Sequence, residues 1–251
     1  MSNPGGIVDD EAHAFLGWSL ALGDVNGDKY DDLIVGAPFA TYTGAHGYKA
    51  GKFYVYYGSA AGWDTASGAE TTGGHPMDAF GFALAACDVN GDGNEDVIAG
   101  APYHSYPGRV EAGQVRVYLG TPSGLSDAPV QILEGWPAYG HFGYAVSSAG
   151  DVNNDGYDDF VVGAPDWKPL EQGRGLGRVC LFLGAAEGIP RNPHVVLLNP
   201  GNTDGFGWTL ASAGDINSDG CSDVLVAAPG WAGSSNPGDV YAYAGSPSGL
   251  A

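Results

Sequence analysis

An all-β protein assembled from copies of one unit is what this sequence predicts, on three observations. The same run of residues is written four times along the 251-residue chain. Short apolar runs rich in β-branched and aromatic residues are punctuated by 43 Gly and 16 Pro, about a quarter of the chain, with no collagen-like triplet. No window carries the length or the 3.6-residue period of a long helix. A hydrophobic content of 44% is enough for a sizeable core, so disorder is excluded.

The copies read FLGWSLALGDVNGDKYDDLIVGAP from Phe15, FGFALAACDVNGDGNEDVIAGAP from Phe80, FGYAVSSAGDVNNDGYDDFVVGAP from Phe142 and FGWTLASAGDINSDGCSDVLVAAP from Phe206. Asp24, Asp88, Asp151 and Asp215, which open the acidic loop of each copy, stand 64, 63 and 64 residues apart. Insertions are confined to one loop. A period of this length fits a four-stranded propeller blade better than a short solenoid repeat.

Each unit then follows in order. The Phe-Gly segment is expected to be strand A, and the acidic loop follows it. DLIVGAP and its counterparts give strand B. GKFYVYYG, GQVRVYLG, GRVCLFLG and GDVYAYAG give strand C, apolar and β-branched with glycine at both ends. Strand D is placed in residues 128–135 and 192–200, with 67–74 as the poorest counterpart.

Phe-Gly, the Asp-rich loop and Gly-Ala-Pro, in that order over nearly the whole chain, resemble the FG-GAP repeats of integrin α-subunit propellers. The first copy departs with Phe15-Leu16-Gly17 and the fourth with Ala227-Ala228-Pro229. The resemblance implies a β-propeller of four FG-GAP blades, each of four antiparallel strands, although such propellers usually have seven. One propeller or half-propeller domain over residues 1–251 is the expected organisation. The glycine ending strand C precedes the next Phe by 22 residues three times: Gly58 to Phe80, Gly120 to Phe142, Gly184 to Phe206. Counting 22 from Gly245 reaches 267, and overlaying that position on Phe15 puts Met1 at 253, beside Ala251. Residues 1–8 would then be strand D of the last blade. Pairing them with the C-terminal blade, within one chain or between two chains, would remove exposed sheet edges. A closed four-bladed monomer, an eight-bladed ring of two chains and a piece of a longer ring all satisfy this count.

Each acidic loop reads D-x-N-x-D-x-x-x-D, with side-chain oxygens at positions 1, 3, 5 and 9 and a backbone carbonyl at 7. Ca²⁺ takes six to eight hard oxygens, so this alternation suits it. The side-chain ligands would be Asp24, Asn26, Asp28 and Asp32; Asp88, Asn90, Asp92 and Asp96; Asp151, Asn153, Asp155 and Asp159; and Asp215, Asn217, Asp219 and Asp223. The carbonyls would come from Tyr30, Asn94, Tyr157 and Cys221. An EF-hand is excluded, because position 12 is Val35, Ala99, Val162 or Val226 where it needs a bidentate Glu. Asp, Asn and Gly also build metal-free turns, but a turn needs no acid at three fixed positions in four copies. Up to four Ca²⁺ ions are therefore expected, bringing the formal charge of −20 to −12. Site 1 should bind weakest, because Lys29 replaces the Gly of the other loops at a position that wants φ > 0, at a cost of about 1 kcal/mol.

With 29 acidic against 9 basic residues, nucleic acid and anionic membranes are poor partners. No run of 18 apolar residues offers membrane insertion, and MSNPGGIVDD lacks the basic-then-apolar order of a signal peptide. Cys87, Cys180 and Cys221 share no ligand spacing and read as plain thiols. If the blades are integrin-like, the loop face opposite the calcium loops takes a protein or glycan ligand. Phe39, Tyr103, Trp167 and Trp231, just after the Pro of strand B, are its candidate contacts, with packing between blades as the alternative. Trp18 and Trp208 are expected in the core. Catalytic motifs are missing, and fourfold-repeated acids suit adhesion or recognition better than a hydrolase or lyase; a self-assembling structural unit is the other alternative. Loops of this kind bind calcium at levels found outside cells, which points to an extracellular or cell-surface setting.

Overall fold

The computed structural model describes residues 13–41, 49–63, 68–168, 175–201, 203–230 and 237–251. Every regular element among them is a strand, and the strands form four antiparallel meanders. Sheet 1 holds β1 (Leu20–Gly23), β2 (Asp32–Ala37), β3 (Lys52–Tyr56) and β4 (Gly68–Thr72). Sheet 2 holds β5 (Leu84–Cys87), β6 (Asp96–Ala101), β7 (Gln114–Tyr118) and β8 (Gln131–Glu134). Sheet 3 holds β9 (Ala145–Gly150), β10 (Asp159–Ala164), β11 (Arg178–Phe182) and β12 (Val195–Leu198). Sheet 4 has three: β13 (Thr209–Gly214), β14 (Asp223–Ala228) and β15 (Asp239–Tyr243). The expected closing strand, residues 1–8, lies outside the described residues.

Strands B, C and D fall where the apolar runs place them, including β4 in the poorest segment. Strand A does not. It begins about four residues beyond each Phe, because the Phe-Gly pair is a turn. Phe80, Phe142 and Phe206 make parallel bridges to Gly51, Gly113 and Gly177 of the preceding unit and are buried against it. Gly81, Gly143 and Gly207 hold left-handed backbone, which removes these residues from any strand.

The first strands stand side by side, β1 on β5, β5 on β9 and β9 on β13, so they form the inner rim of a row of blades. A strand shows alternate residues to opposite faces, and each sheet uses both. Sheet 2 turns Leu84, Val97, Ala99 and Tyr118 to sheet 1, where Ile34, Phe53 and Val55 complete one core. It turns Ile98, Val115, Val117 and Leu133 to sheet 3, where Val146, Phe160, Val162 and Phe182 complete a second. Val161, Val179 and Leu181 of sheet 3 meet Leu210, Val224 and Val226 of sheet 4 in a third. Double-sided burial explains why β6 and β10 are buried at every residue and read as unbroken apolar runs.

Candidate calcium loops and the opposite loop end

The turn after each first strand has one geometry in all four units. Both carboxylate oxygens of its first Asp accept amides of positions 5 and 6. Asp24 takes Asp28 and Lys29 at 3.1 and 2.7 Å, and Asp88 takes Asp92 and Gly93 at 3.1 and 2.8 Å. Asp151 takes Asp155 and Gly156 at 3.1 and 2.8 Å, and Asp215 takes Asp219 and Gly220 at 3.1 and 2.9 Å. The position-3 side chains Asn26, Asn90, Asn153 and Asn217 accept the same position-5 amides and donate to its carboxylate. Tyr30, Asn94, Tyr157 and Cys221 donate their amides to Asp28, Asp92, Asp155 and Asp219. Positions 1, 3, 5 and 7 are thus drawn around one small space by their own backbone.

The ninth residue does something that spacing alone does not reveal. Asp32, Asp96, Asp159 and Asp223 are fully buried. Each accepts the amide of loop position 2 on one oxygen, from Val25, Val89, Val152 or Ile216 at 2.9–3.0 Å. The other oxygen accepts the glycine ending strand C, from Gly58, Gly120, Gly184 or Gly245 at 2.7–2.9 Å. This Asp pins the loop to the third strand of its own sheet. The signal was the pairing of an invariant-looking Asp with a Gly about 24 residues on.

The loops are also joined in series. Glu95, Asp158 and Ser222, at position 8, donate their amides to the carbonyls of Asp24, Asp88 and Asp151 in the preceding unit, at 2.8, 3.1 and 2.8 Å. Burial raises the Asp96 and Asp159 carboxyls to about 7, opposed by the amides they accept and reinforced by the other acids of each loop. Glu95 is raised to about 7 by burial and then by Asp158, Asp31, Asp24 and Asp88 around it. Among the described residues no three acidic side chains meet as a cation site as they stand. The donor set nevertheless fits Ca²⁺: five hard oxygens per loop, no nitrogen or sulfur ligand, and like charges held close enough to raise buried acids. Coordination would exchange amide bonds of the position 1, 3 and 5 side chains for the ion.

Position 6 is left-handed in all four loops, with φ of 73° at Lys29 and 85°, 93° and 92° at Gly93, Gly156 and Gly220. The strain read at Lys29 is therefore real. Position 4 is left-handed too, at 72° for Gly27 and Gly91, 58° for Asn154 and 61° for Ser218. Only loop 2 has glycine at both positions. Asn tolerates this region, Ser and Lys less so.

At the other end of the blades the residue after each Phe-Gly glycine is aromatic. Trp18, Phe82, Tyr144 and Trp208 form a row along the inner rim, with ring centroids 5.3, 4.9 and 4.7 Å apart in sequence. Trp18 is 49% exposed and the other three are half-buried, which corrects the expectation that Trp18 and Trp208 belong to the core. A row running through all four sheets on a half-open rim packs the rings against one another at tilted angles of 48–50°. Its sequence signal is an aromatic at one register in all four repeats.

The candidate ligand contacts lie beside this row. Phe39 packs on Phe15 and Trp18, and Tyr103 on Phe82 and His141. Phe39 and Tyr103 also line an open cleft of about 380 Å³ with Lys49, Met77, Ser105 and Glu111. Trp167 lies under the Arg178 guanidinium, 5.5 Å away, and Trp231 lies outside the described residues. Two His–acid links tie neighbouring loops here. Buried His104 meets buried Asp78 at 2.8 Å, and His141 bridges Asp166 at 2.7 Å and Glu111 at 3.1 Å. The three cysteines are buried and free, as plain thiols should be.

The profile of the FG-GAP repeat matches residues 16–56, 80–118, 142–182 and 206–243, one match to each sheet. The chain belongs to the FG-GAP repeat family. Its relatives include integrin alpha-IIb of Mus musculus, 36% identical over 224 residues, and that of Homo sapiens, 35% identical over 224 residues. Integrin alpha-PS2 of Drosophila melanogaster is 32% identical over 233 residues. The matches cover 86–88% of this FG-GAP chain and 16–20% of those relatives, so it spans about a fifth of their length.

Proposed function

We propose that this chain is a calcium-stabilised recognition module of the adhesion type, acting outside the cell or at its surface. It takes a protein partner on the loop end opposite its calcium loops. The row Trp18–Phe82–Tyr144–Trp208 carries this reading. Four partly exposed rings side by side offer the desolvated aromatic surface on which interfaces concentrate their binding energy. Their electron-rich faces, in a chain of formal charge −20, favour a partner that inserts a basic side chain. The likeness to integrin alpha chains supports adhesion.

The other end supports the metal assignment. Four loops with the same acids, the same hydrogen bonds and a serial link from each to the next form one scaffold, and four Ca²⁺ ions would offset the repulsion they gather. Acids repeated four times in one environment suit a structural ion and not a single reacting centre, which argues against a hydrolase or lyase. Loop 2, unstrained at both left-handed positions, is assigned the tightest site and loop 1 the weakest.

The test is retention of extracellular-matrix proteins on the immobilised chain in calcium, compared with the Phe82→Ala/Tyr144→Ala variant at equal melting temperature. Loss of retention in the variant is expected. Retention that ignores the substitutions, or that appears only on a glycan array, overturns the reading.

A further inference from the structure

The third position of each acidic loop holds an asparagine, and the four asparagines share one setting. Their Oδ1 atoms accept the position-5 amide, at 2.9 Å in Asn26 and Asn90, 3.2 Å in Asn153 and 2.8 Å in Asn217. Their Nδ2 atoms donate to the position-5 carboxylate. The residue that follows is left-handed in every loop. Only its identity differs: Gly27 and Gly91 in the first two loops, Asn154 and Ser218 in the last two. Asn-Gly occurs nowhere else in the 251 residues.

That difference is chemical. The Cγ of an asparagine is open to attack by the backbone nitrogen of the next residue, and a side chain on that residue crowds the nitrogen. Glycine leaves it free. Here the carbonyl under attack already accepts an amide N–H, which draws charge onto Oδ1 and would hold the oxyanion of the tetrahedral adduct. Gly27 and Gly91 are exposed, so water reaches the product. Packing also keeps these two glycines in place. A Cβ on Gly27 would stand 2.5 Å from Oδ1 of Asn94, and one on Gly91 would stand 2.8 Å from Cε1 of Tyr157, both position-7 side chains of the next unit. The third unit has Asn154 where the next unit's position 7 is Cys221, a smaller side chain.

We propose that Asn26 and Asn90 are sites of spontaneous deamidation in the folded chain, whereas Asn153 and Asn217 are not. The Gly27 or Gly91 nitrogen gives up its proton to solvent and bonds to Cγ. The Cγ–Nδ2 bond breaks, and the amide nitrogen takes up a proton and leaves as ammonia. Water then opens the succinimide at either carbonyl, giving aspartate or isoaspartate. Neither step needs an ion, an oxidant or a second protein. Each event adds one negative charge, so two take the formal charge from −20 to −22. The isoaspartate form carries the main chain through Cβ, one atom longer. It moves the position-5 amide away from Asp24 or Asp88, which accept it at 3.1 Å.

Peptide mapping with fragmentation that separates isoaspartate from aspartate tests this, on the chain held in EDTA at mildly alkaline pH and below its melting midpoint. Asn26 and Asn90 should convert about tenfold or more ahead of Asn153 and Asn217, and at a rate within about tenfold of the urea-unfolded chain. The Asn154→Gly variant adds a third reactive pair, in loop 3. Position 154 already holds a φ of 58°, which glycine adopts freely, so the fold should stand. Asn153 should then convert as Asn90 does. Equal rates at all four asparagines, conversion confined to the unfolded chain, or an inert Asn153 in the variant would overturn the proposal.

Discussion

The two loop ends of the blades are built on opposite terms. At the acidic-loop end the four units are near copies. Each has the same Asp accepting the same two amides and the same buried Asp pinning loop to third strand, and the second, third and fourth hand the same amide on to the unit before. At the opposite end the units share only the aromatic after Phe-Gly. Around it stand different devices: a buried His104–Asp78 pair at one junction, His141 between two carboxylates at the next, Trp167 under Arg178 beyond. Uniformity at one end marks scaffold, where every blade has the same problem to solve. Diversity at the other marks surface free to specialise.

The largest effect that separates the ends lies within a single loop. Asp159→Ala removes an acceptor of two buried amides, a loss of ~3 kcal/mol that persists in EDTA. Asp155→Ala, on the exposed side of the same loop, should cost little in EDTA and show its loss only in calcium. Denaturant unfolding of both variants with and without calcium checks this, and equal behaviour would erase the distinction between pin and ligand. Next in size, Lys29→Gly should stabilise by about 1 kcal/mol and tighten the weakest site, read by calorimetric titration.

A smaller effect belongs to the opposite end. Burial works against charge on His141, but its bonds to Asp166 and Glu111 outweigh that and raise its pKa. A folded-state value above the unfolded one, about 6.5, gives a contribution fully present below pH 6.5. It is lost as pH rises through the folded-state value. The unaltered chain in saturating calcium should therefore lose under about 1 kcal/mol more than His141→Ala between pH 6 and 8. The smallest change is expected from Tyr144→Leu, which should move stability by less than about 0.5 kcal/mol while weakening partner retention.

Much of this was legible in the sequence, because repetition multiplies weak signals. One D-x-N-x-D-x-x-x-D is ambiguous, but four in register located every loop, and strands B to D followed from apolar runs bounded by glycine. What escaped depends on contacts between residues far apart along the chain, or on backbone conformation that the residue type does not announce. The Phe-Gly pair looks like strand until its bridge to the preceding unit is seen. Trp18 and Trp208 look like core until the rim they share with Phe82 and Tyr144 is known. Asp32 and its equivalents look like metal ligands only, since the amides they pin arrive from the end of strand C. Left-handed backbone at Asn154 and Ser218 carried no warning, because neither is a glycine.

The proposed division between a calcium-held scaffold and a variable recognition end is tested most directly by thermal melting with calcium and with EDTA. Four loops, each saturated about a hundredfold over its dissociation constant, should raise the midpoint by roughly 10 °C or more. The shift should shrink stepwise as Asp28, Asp92, Asp155 and Asp219 are replaced by Ala. Coincident melting curves in calcium and EDTA would contradict it.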